Sequence, residues 1–409
     1  MSPTKPLPKD FWWGSAISAH QSEGNNVNSD SWLNETVKPT IFREPSGDAC
    51  DSYHRYAEDI ALAASFGFNC HRLGIEWARI EPEPGQFSTA ALDHYMRVLE
   101  TCREHSLAPI VTFNHFTVPR WFAARGGFEV ADGADLFARF AERASARLGS
   151  LMAAAFPFNE GNIVRLLQWM PQVAKIMPHA KATLDACAKA TGSIHFSSVL
   201  LGDPDRIEPV MFDAHAKAYQ AIKSGAGDFP VGISLTLQDE QGVGPGNRAE
   251  EKKQAIYGKW LAPAVPGDFI GVQTYTRFLV GPEGNLRPPP DAELTDAGYE
   301  FYPQALGNTI RYAAKASGKP IYVTESGIAT NDDTRRIAYI DQALAEVRAC
   351  LDDGIDVRSY IHWSLLDNFE WFAGYSQNFG LVAVDRKTFK RTPKPSALHL
   401  GERARANRI

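Results

Sequence analysis

The chain has 409 residues, 44% hydrophobic and 22% charged, a balance that supplies a large buried core and excludes disordered or fibrous architectures. With 42 Lys and Arg against 48 Asp and Glu, the formal charge is −6, so there is no cationic excess for a nucleic-acid backbone. No stretch approaches the roughly 18 uninterrupted apolar residues of a membrane span, and residues 1–10 are polar and proline-rich, so a cytoplasmic protein without an export signal is expected.

Strand-like runs begin near Phe11, Asn69, Ala108, Leu151, Pro230, Asp268, Pro320 and Val357. Between several of them the apolar period lengthens to that of a helix. Tyr53, Tyr56, Ile60 and Ala63 lead up to Gly67, and Leu92, Tyr95, Met96, Leu99 and Cys102 repeat the spacing. Ile337, Ile340, Leu344, Val347 and Leu351 do so again, with Gly354 placed to end that helix. Most of residues 162–228 reads as helices without finer assignment, and residues 281–296, with Pro288, Pro289 and Pro290, read as a rigid surface excursion.

Eight alternations of strand and helix predict parallel strands covered by helices and closed into a (β/α)8 TIM barrel. This α/β fold makes one domain over residues 1–409, with long loops on one face. An open doubly wound sheet would need a glycine-rich phosphate turn after its first strand, where Trp13-Gly14-Ser15-Ala16 stands instead. Asn34-Glu35-Thr36 matches a glycosylation sequon, but a chain without an export signal is not expected to use it.

In such a barrel the carboxyl ends of the strands carry the active site. The polar residues there are Arg72 after the second strand, His115 after the third, Asn159 and Glu160 after the fourth, and Tyr275 after the sixth. Glu325 follows the seventh, and Glu370 lies shortly beyond the eighth. Glu160 and Glu325 thus face each other across the mouth, one able to protonate a leaving oxygen and the other to attack or to activate water, as glycoside hydrolysis requires. A single glutamate after a strand more often caps a helix or pairs with an arginine; two, with Arg, His, Asn and Tyr at other strand ends, point to chemistry. His115 has no partner for a metal, and Cys50, Cys70, Cys102, Cys187 and Cys350 are scattered, odd in number and never spaced as CxxC. No metal, cofactor or disulfide framework is expected.

Six blocks carry a family resemblance: Phe11-Trp12-Trp13-Gly14-Ser15-Ala16 with Gln21-Ser22-Glu23-Gly24; Tyr53-His54-Arg55-Tyr56-Ala57-Glu58-Asp59-Ile60; Arg72-Leu73-Gly74-Ile75-Glu76-Trp77; Asn114-His115-Phe116-Thr117-Val118-Pro119; Tyr322-Val323-Thr324-Glu325-Ser326-Gly327; and His362-Trp363-Ser364-Leu365-Leu366-Asp367-Asn368-Phe369-Glu370-Trp371. In this order they resemble glycoside hydrolase family 1. Between the third-strand region and the sixth strand only Phe158-Asn159-Glu160 is recognisable. The resemblance implies a retaining β-glycosidase acting on a terminal β-linked sugar of a small glycoside or oligosaccharide, with glucose foremost and galactose or fucose as further substrates. Glu325 resembles the nucleophile and Glu160 the general acid/base. Arg72 and Tyr275 resemble the partners that orient the nucleophile, and Asn159 the residue that bonds the sugar 2-hydroxyl. Gln21, His115, Glu370 and Trp371 resemble the set that reads the other hydroxyls, and Trp363 the platform under the ring.

The sequence departs from the family pattern at four places. Gly161 stands where Pro usually follows the acid/base, which is expected to loosen that loop; Gln273 replaces Asn, Phe116 replaces Trp, and Ser326 replaces Asn. The chain is also short for the family, so trimmed rim loops and an open leaving-group side are expected. Two alternatives remain: a 6-phospho-β-glycosidase, against which Glu370 argues because Ser tends to stand there in that branch, and a sugar-binding barrel with weak or lost catalysis.

Overall fold

A computed structural model describes residues 7–409. The central strands are β1 (Trp12–Ala16), β2 (Cys70–Gly74), β3 (Ala108–Asn114), β4 (Ala154–Phe158), β5 (Ile233–Thr236), β6 (Ile270–Thr274), β7 (Ile321–Ser326) and β8 (Val357–Trp363). They form one parallel sheet in the order β4-β3-β2-β1-β8-β7-β6-β5. Closure comes where Ala155 of β4 bridges Val231, just ahead of β5. There the Ala155 N–H donates to Pro230 O at 3.0 Å and the Gly232 N–H to Ala155 O at 2.8 Å. The result is a (β/α)8 barrel whose strands start within a few residues of the positions read from sequence. Every residue of β2, β4, β6 and β7 is buried, because helices cover one side of each strand and the barrel interior the other.

The helices that matter below are α1 (Ser52–Ser65), α2 (Thr89–Glu104), α3 (Ile163–Gln168), α4 (Pro171–Thr191), α5 (Pro204–Lys223), α6 (Ala249–Lys253), α7 (Asp333–Asp352) and α8 (Pro395–Ala406). Their inward faces follow the periodicity of the sequence: α2 buries Leu92, Tyr95, Leu99 and Cys102. In α7 the buried stripe is Arg336, Tyr339, Ile340, Ala343, Leu344, Val347 and Cys350, so Ile337 and Leu351 sit at its edges. Gly354 just beyond has φ +84°, the left-handed backbone that terminates a helix and suits glycine. Residues 162–228, unassigned beyond helices in the sequence, fold as α3, α4 and α5 with connecting loops.

A small rim sheet pairs Asp239–Gly242 in parallel with Arg277–Gly281, which turns back through Gly284–Asn285. The surface excursion of residues 281–296 therefore opens as a hairpin, with Pro288 and Pro290 exposed beyond it. Asn34 of the sequon is buried: its amide donates to Ser198 Oγ at 3.2 Å and its oxygen accepts from Cys187 Sγ at 3.3 Å. All five cysteines are buried and unpaired. Among the described residues no helix is long and apolar enough to cross a membrane.

Candidate active site

One cavity of about 360 Å³ opens at the carboxyl ends of the strands, in the size range of small-molecule sites. Gln21, His115, Asn159, Glu160, Tyr275, Glu325, Trp363, Glu370 and Trp371 all line it. Arg72 lies beneath, fully buried, and reaches the cavity through its partners. Arg72 and Glu325, expected just after their strands, sit within them. The ladder carries Arg72 in register with Ala16 and Ile110, and carries β7 one residue past Glu325 to pair Ser326 with Thr274 and His362. Both side chains are thereby fixed by strand hydrogen bonds instead of by a loop.

The floor of the site is a buried polar network centred on Arg72. Arg72 Nη1 donates to Glu325 Oε1, and its Nη2 to Asn159 Oδ1. The guanidinium also bonds Thr112 Oγ1 and Thr324 O, each at 3.3 Å, and lies 4.9 Å over the Phe156 ring. Tyr275 OH donates to the other Glu325 oxygen at 2.5 Å. Burial, then the charges of Glu325 and Glu160, push the Tyr275 phenol well above 10, so it stays a donor. Both Glu325 oxygens are thus engaged by donors, which fixes the orientation of the group. Gln273 donates to Asn159 Oδ1 at 2.7 Å, so the longer arm in place of Asn makes a direct bond.

Glu160 is built differently. Its backbone is left-handed, φ +44°, at the junction of β4 and the following loop, a conformation costing a non-glycine residue roughly 1–2 kcal/mol. Burial first, and the Glu325 charge second, raise its carboxyl from 4.5 to about 8, opposed by the Thr236 hydroxyl and Arg72. It is a neutral acid beside an anion.

The loop after Glu160 is not loosened by Gly161, contrary to the sequence expectation. The Gly161 N–H donates to Ser234 O at 3.2 Å, a bond that proline could not make. Next to it the Asn162 amide spans β5, donating to Thr236 O at 2.9 Å and accepting from Thr236 N–H at 3.1 Å. Buried Trp260 fills the room that a side chain would need: a Cβ at position 161 would stand 2.9 Å from the indole Cη2.

At the other end of the cavity aromatic rings gather around His115. Its ring lies nearly parallel to Trp363 and Trp371, with centroids 5.5 and 6.2 Å away, and Trp371 in turn stacks on buried His20 at 5.5 Å. Burial, then Arg72 and His20, lower the His115 pKa well below 6.5 and keep the imidazole neutral. Its Nε2 meets the Asn159 amide at 3.2 Å while Nδ1 has no protein partner, leaving one ring nitrogen for a ligand hydroxyl. Trp363 Nε1 donates to Glu370 Oε1 at 3.3 Å, and burial raises the Glu370 carboxyl well above 4.5. Gln21 is anchored at both ends, donating to Phe369 O and accepting from Ser18 Oγ, each at 2.7 Å.

Thr236, Tyr299 and Trp260 escaped the sequence reading. Thr236 is marked in the sequence only as a polar residue closing the fifth strand after Ile233-Ser234-Leu235. Tyr299 reaches the cavity from irregular chain, and Trp260 acts from behind the loop, so neither had a local pattern. Among the described residues no three His, Cys, Asp or Glu side chains are grouped to hold a metal ion.

The chain matches the sequence model of glycosyl hydrolase family 1 over residues 3–277 and 280–409. It is 29% identical to beta-glucosidase A of Acetivibrio thermocellus, over 95% of this chain and 96% of that protein. Among solved structures it is similar to beta-glucosidase 1317, with 52% identity, TM-score 0.95, and 97% and 98% of the two chains covered. The beta-glycosidase BGL167 is similar at 46% identity and TM-score 0.93, over 98% and 97%.

Proposed function

Because the chain belongs to glycosyl hydrolase family 1, we propose that it is a retaining β-glucosidase that cleaves terminal β-glucosides with Glu325 as nucleophile and Glu160 as acid/base. The observation that carries this reading is the division of labour between the two glutamates in one cavity. Glu325 accepts from a guanidinium and a phenol, whereas Glu160 is held protonated by burial and by the charge of Glu325. One carboxylate held by donors beside a carboxyl that keeps its proton is what acid-assisted displacement requires.

In the first step a Glu325 oxygen bonds to the anomeric carbon as the glycosidic C–O bond breaks, and Glu160 gives its proton to the departing oxygen. With Glu325 esterified, the charge that helped raise the Glu160 pKa is gone. Glu160, now a carboxylate, takes a proton from water as the water oxygen attacks the same carbon and releases Glu325. Two displacements at one carbon return the original anomer. Asn159, oriented by Arg72 and Gln273, presents its amide to the 2-hydroxyl, while His115, Gln21 and Glu370 bond the remaining hydroxyls and Trp363 and Trp371 pack on the ring.

An unphosphorylated sugar fits best: among the described residues lining the cavity there is no Lys or Arg to meet a phosphate dianion. The substrate is a small neutral glycoside and the setting cytoplasmic, in keeping with five reduced, buried cysteines.

Replacing the nucleophile tests the assignment. Glu325→Gly should lose about 10⁴-fold or more in kcat on an aryl β-glucoside. Added azide should restore turnover and yield a glycosyl azide of inverted configuration. Retention of near-wild-type activity, or an inverted product from the wild-type enzyme, would remove Glu325 from the role.

A further inference from the structure

Behind Glu160 runs a line of buried hydrogen bonds that leads away from the sugar. Thr236, the last residue of β5, stands in the cavity wall, and its hydroxyl donates to the Glu160 carboxyl. Its backbone is fastened to the loop that follows Glu160, since the Asn162 amide bonds both its N–H and its C=O.

A threonine hydroxyl has one proton and two lone pairs, and is free to turn unless its neighbours decide. Here Gln238 decides. Its side-chain oxygen accepts from the backbone N–H groups of Tyr275 and Thr276, each at 3.2 Å, and an amide nitrogen could not serve there. The nitrogen therefore faces the other way and donates to Thr236 Oγ1 at 3.1 Å. With that lone pair occupied, the hydroxyl proton is left for Glu160. Gln238 is held in turn. Its backbone N–H donates to Tyr257 OH at 3.1 Å, and that phenol donates to Glu240 at 2.9 Å, where Lys252 arrives at 2.6 Å. Tyr257 is presented by a π-helical turn, Gln254–Gly258, that continues α6.

We infer that Thr236 is a positioning residue for the acid/base, its hydroxyl proton aimed at Glu160 by the Gln238 amide, and that it sustains Glu160 as the base of the second step. The inference rests on the acid/base role proposed above and adds the group that supports its second half. Burial favours the neutral carboxyl, which suits the first step. The second step needs a carboxylate in the same dry pocket, and esterifying Glu325 removes a charge but not the burial. A donated hydroxyl proton stabilises that carboxylate where water does not.

The other charged or titratable groups facing Glu160 are Glu325 of β7, Arg72 of β2, Tyr275 beyond β6, and Tyr299. Burial first, and carboxylate charges after it, hold the Tyr275 phenol well above 10 and push Tyr299 to about 12, so neither ionises in the working range. His115 and Glu370 share the cavity.

Thr236→Val keeps the shape of the side chain and removes the proton. In labelled protein the Glu160 carboxyl should then titrate with its midpoint about one pH unit higher. Two limbs of activity should move the same way by the same amount. One is the alkaline limb of kcat/KM on an alkyl β-glucoside, which needs Glu160 protonated; the other is the acid limb of kcat on a dinitrophenyl β-glucoside, whose slow second step needs it ionised. Thr236→Ser keeps the proton and should leave both limbs where the wild type has them. Gln238→Met frees the hydroxyl to turn and should shift both limbs upward by less than Thr236→Val. Limbs and carboxyl titration unmoved in Thr236→Val, or displaced equally in Thr236→Ser, would overturn the role. Glu160→Gln separates this from the reading beneath it. An alkaline limb that survives that change belongs to another group, such as Glu370, and overturns the acid/base assignment, while the carboxyl titration still decides whether Thr236 acts on Glu160.

Discussion

At the scale of single residues, the most consequential number is the Glu160 carboxyl pushed up to about 8. Its acid form is present below that pH and is lost above it, so kcat/KM for substrates with poor leaving groups should fall by one decade per pH unit beyond about 8. Glu325→Gln removes the second-largest cause of the shift but leaves burial, the largest. Carboxyl titration of labelled protein should therefore find Glu160 lower in that variant, yet still above 4.5. An unchanged value would mean that the two carboxyls do not interact. Gly161 makes a second prediction. Gly161→Pro would drive ring atoms into Trp260 and remove the bond to Ser234 O, with an overpacking cost of about 1–3 kcal/mol. Urea unfolding should show that loss, and turnover should drop most for leaving groups that need a proton from Glu160. Both glutamates were legible in the sequence because strand ends in a barrel converge; the support of Glu160 by Trp260 was not, because nothing local marks a residue that packs from a distance.

At the scale of elements, the rim sheet hangs on one buried ion pair. Lys252 of α6 donates to Glu240 at 2.6 Å and to Asn285 Oδ1 at 2.8 Å, with both charged side chains fully buried and Tyr257 OH donating to the second Glu240 oxygen at 2.9 Å. This joins α6, the Asp239–Gly242 strand and the hairpin that carries Phe278. Lys252→Met should cost about 3–5 kcal/mol by leaving the Glu240 charge buried and unpaired. Burial already raises the Glu240 pKa, and losing the ammonium raises it further. The deficit should therefore shrink as pH falls and Glu240 takes up a proton, and a second change, Glu240→Leu, should recover most of the loss at neutral pH. A deficit that is flat with pH would point to packing instead. The long helices α2 and α7 were readable from their apolar period, whereas α3 spans only Ile163–Gln168, too few residues for a period to stand out.

At the scale of the whole molecule, residues far apart in sequence are tied together beside the first strand. Asn407, left-handed at φ +47° after α8, accepts from buried Trp13 Nε1 at 3.0 Å, and its backbone oxygen accepts from Leu7 N–H at 3.1 Å. Asn407→Ala would leave the indole N–H unpartnered and place alanine in a conformation that asparagine tolerates better. A loss of about 1–3 kcal/mol is expected in thermal or urea unfolding. The kcat/KM at 25 °C should not change, since Asn407 lies away from the cavity; a changed kcat/KM would show that this contact reaches the site. The seam between β4 and β5 is bridged at Ala155 and Val231, near the amino ends of the strands, and at the mouth it is held by Gly161 N–H on Ser234 O and by the Asn162 amide on Thr236.

By itself the sequence determined the alternation of strands and helices, the closure into a barrel, and the two glutamates with Arg72, His115, Asn159 and Tyr275 around them. These follow from short-range periodicity and from a topology that sends all strand ends to one face. The tertiary structure alone decided that burial raises the Glu160 carboxyl more than the Glu325 charge does, that Gly161 bonds Ser234 O, and that Trp260 occupies the space beside Gly161. Burial and the distance between charges are properties of the closed barrel, and no window of sequence contains them.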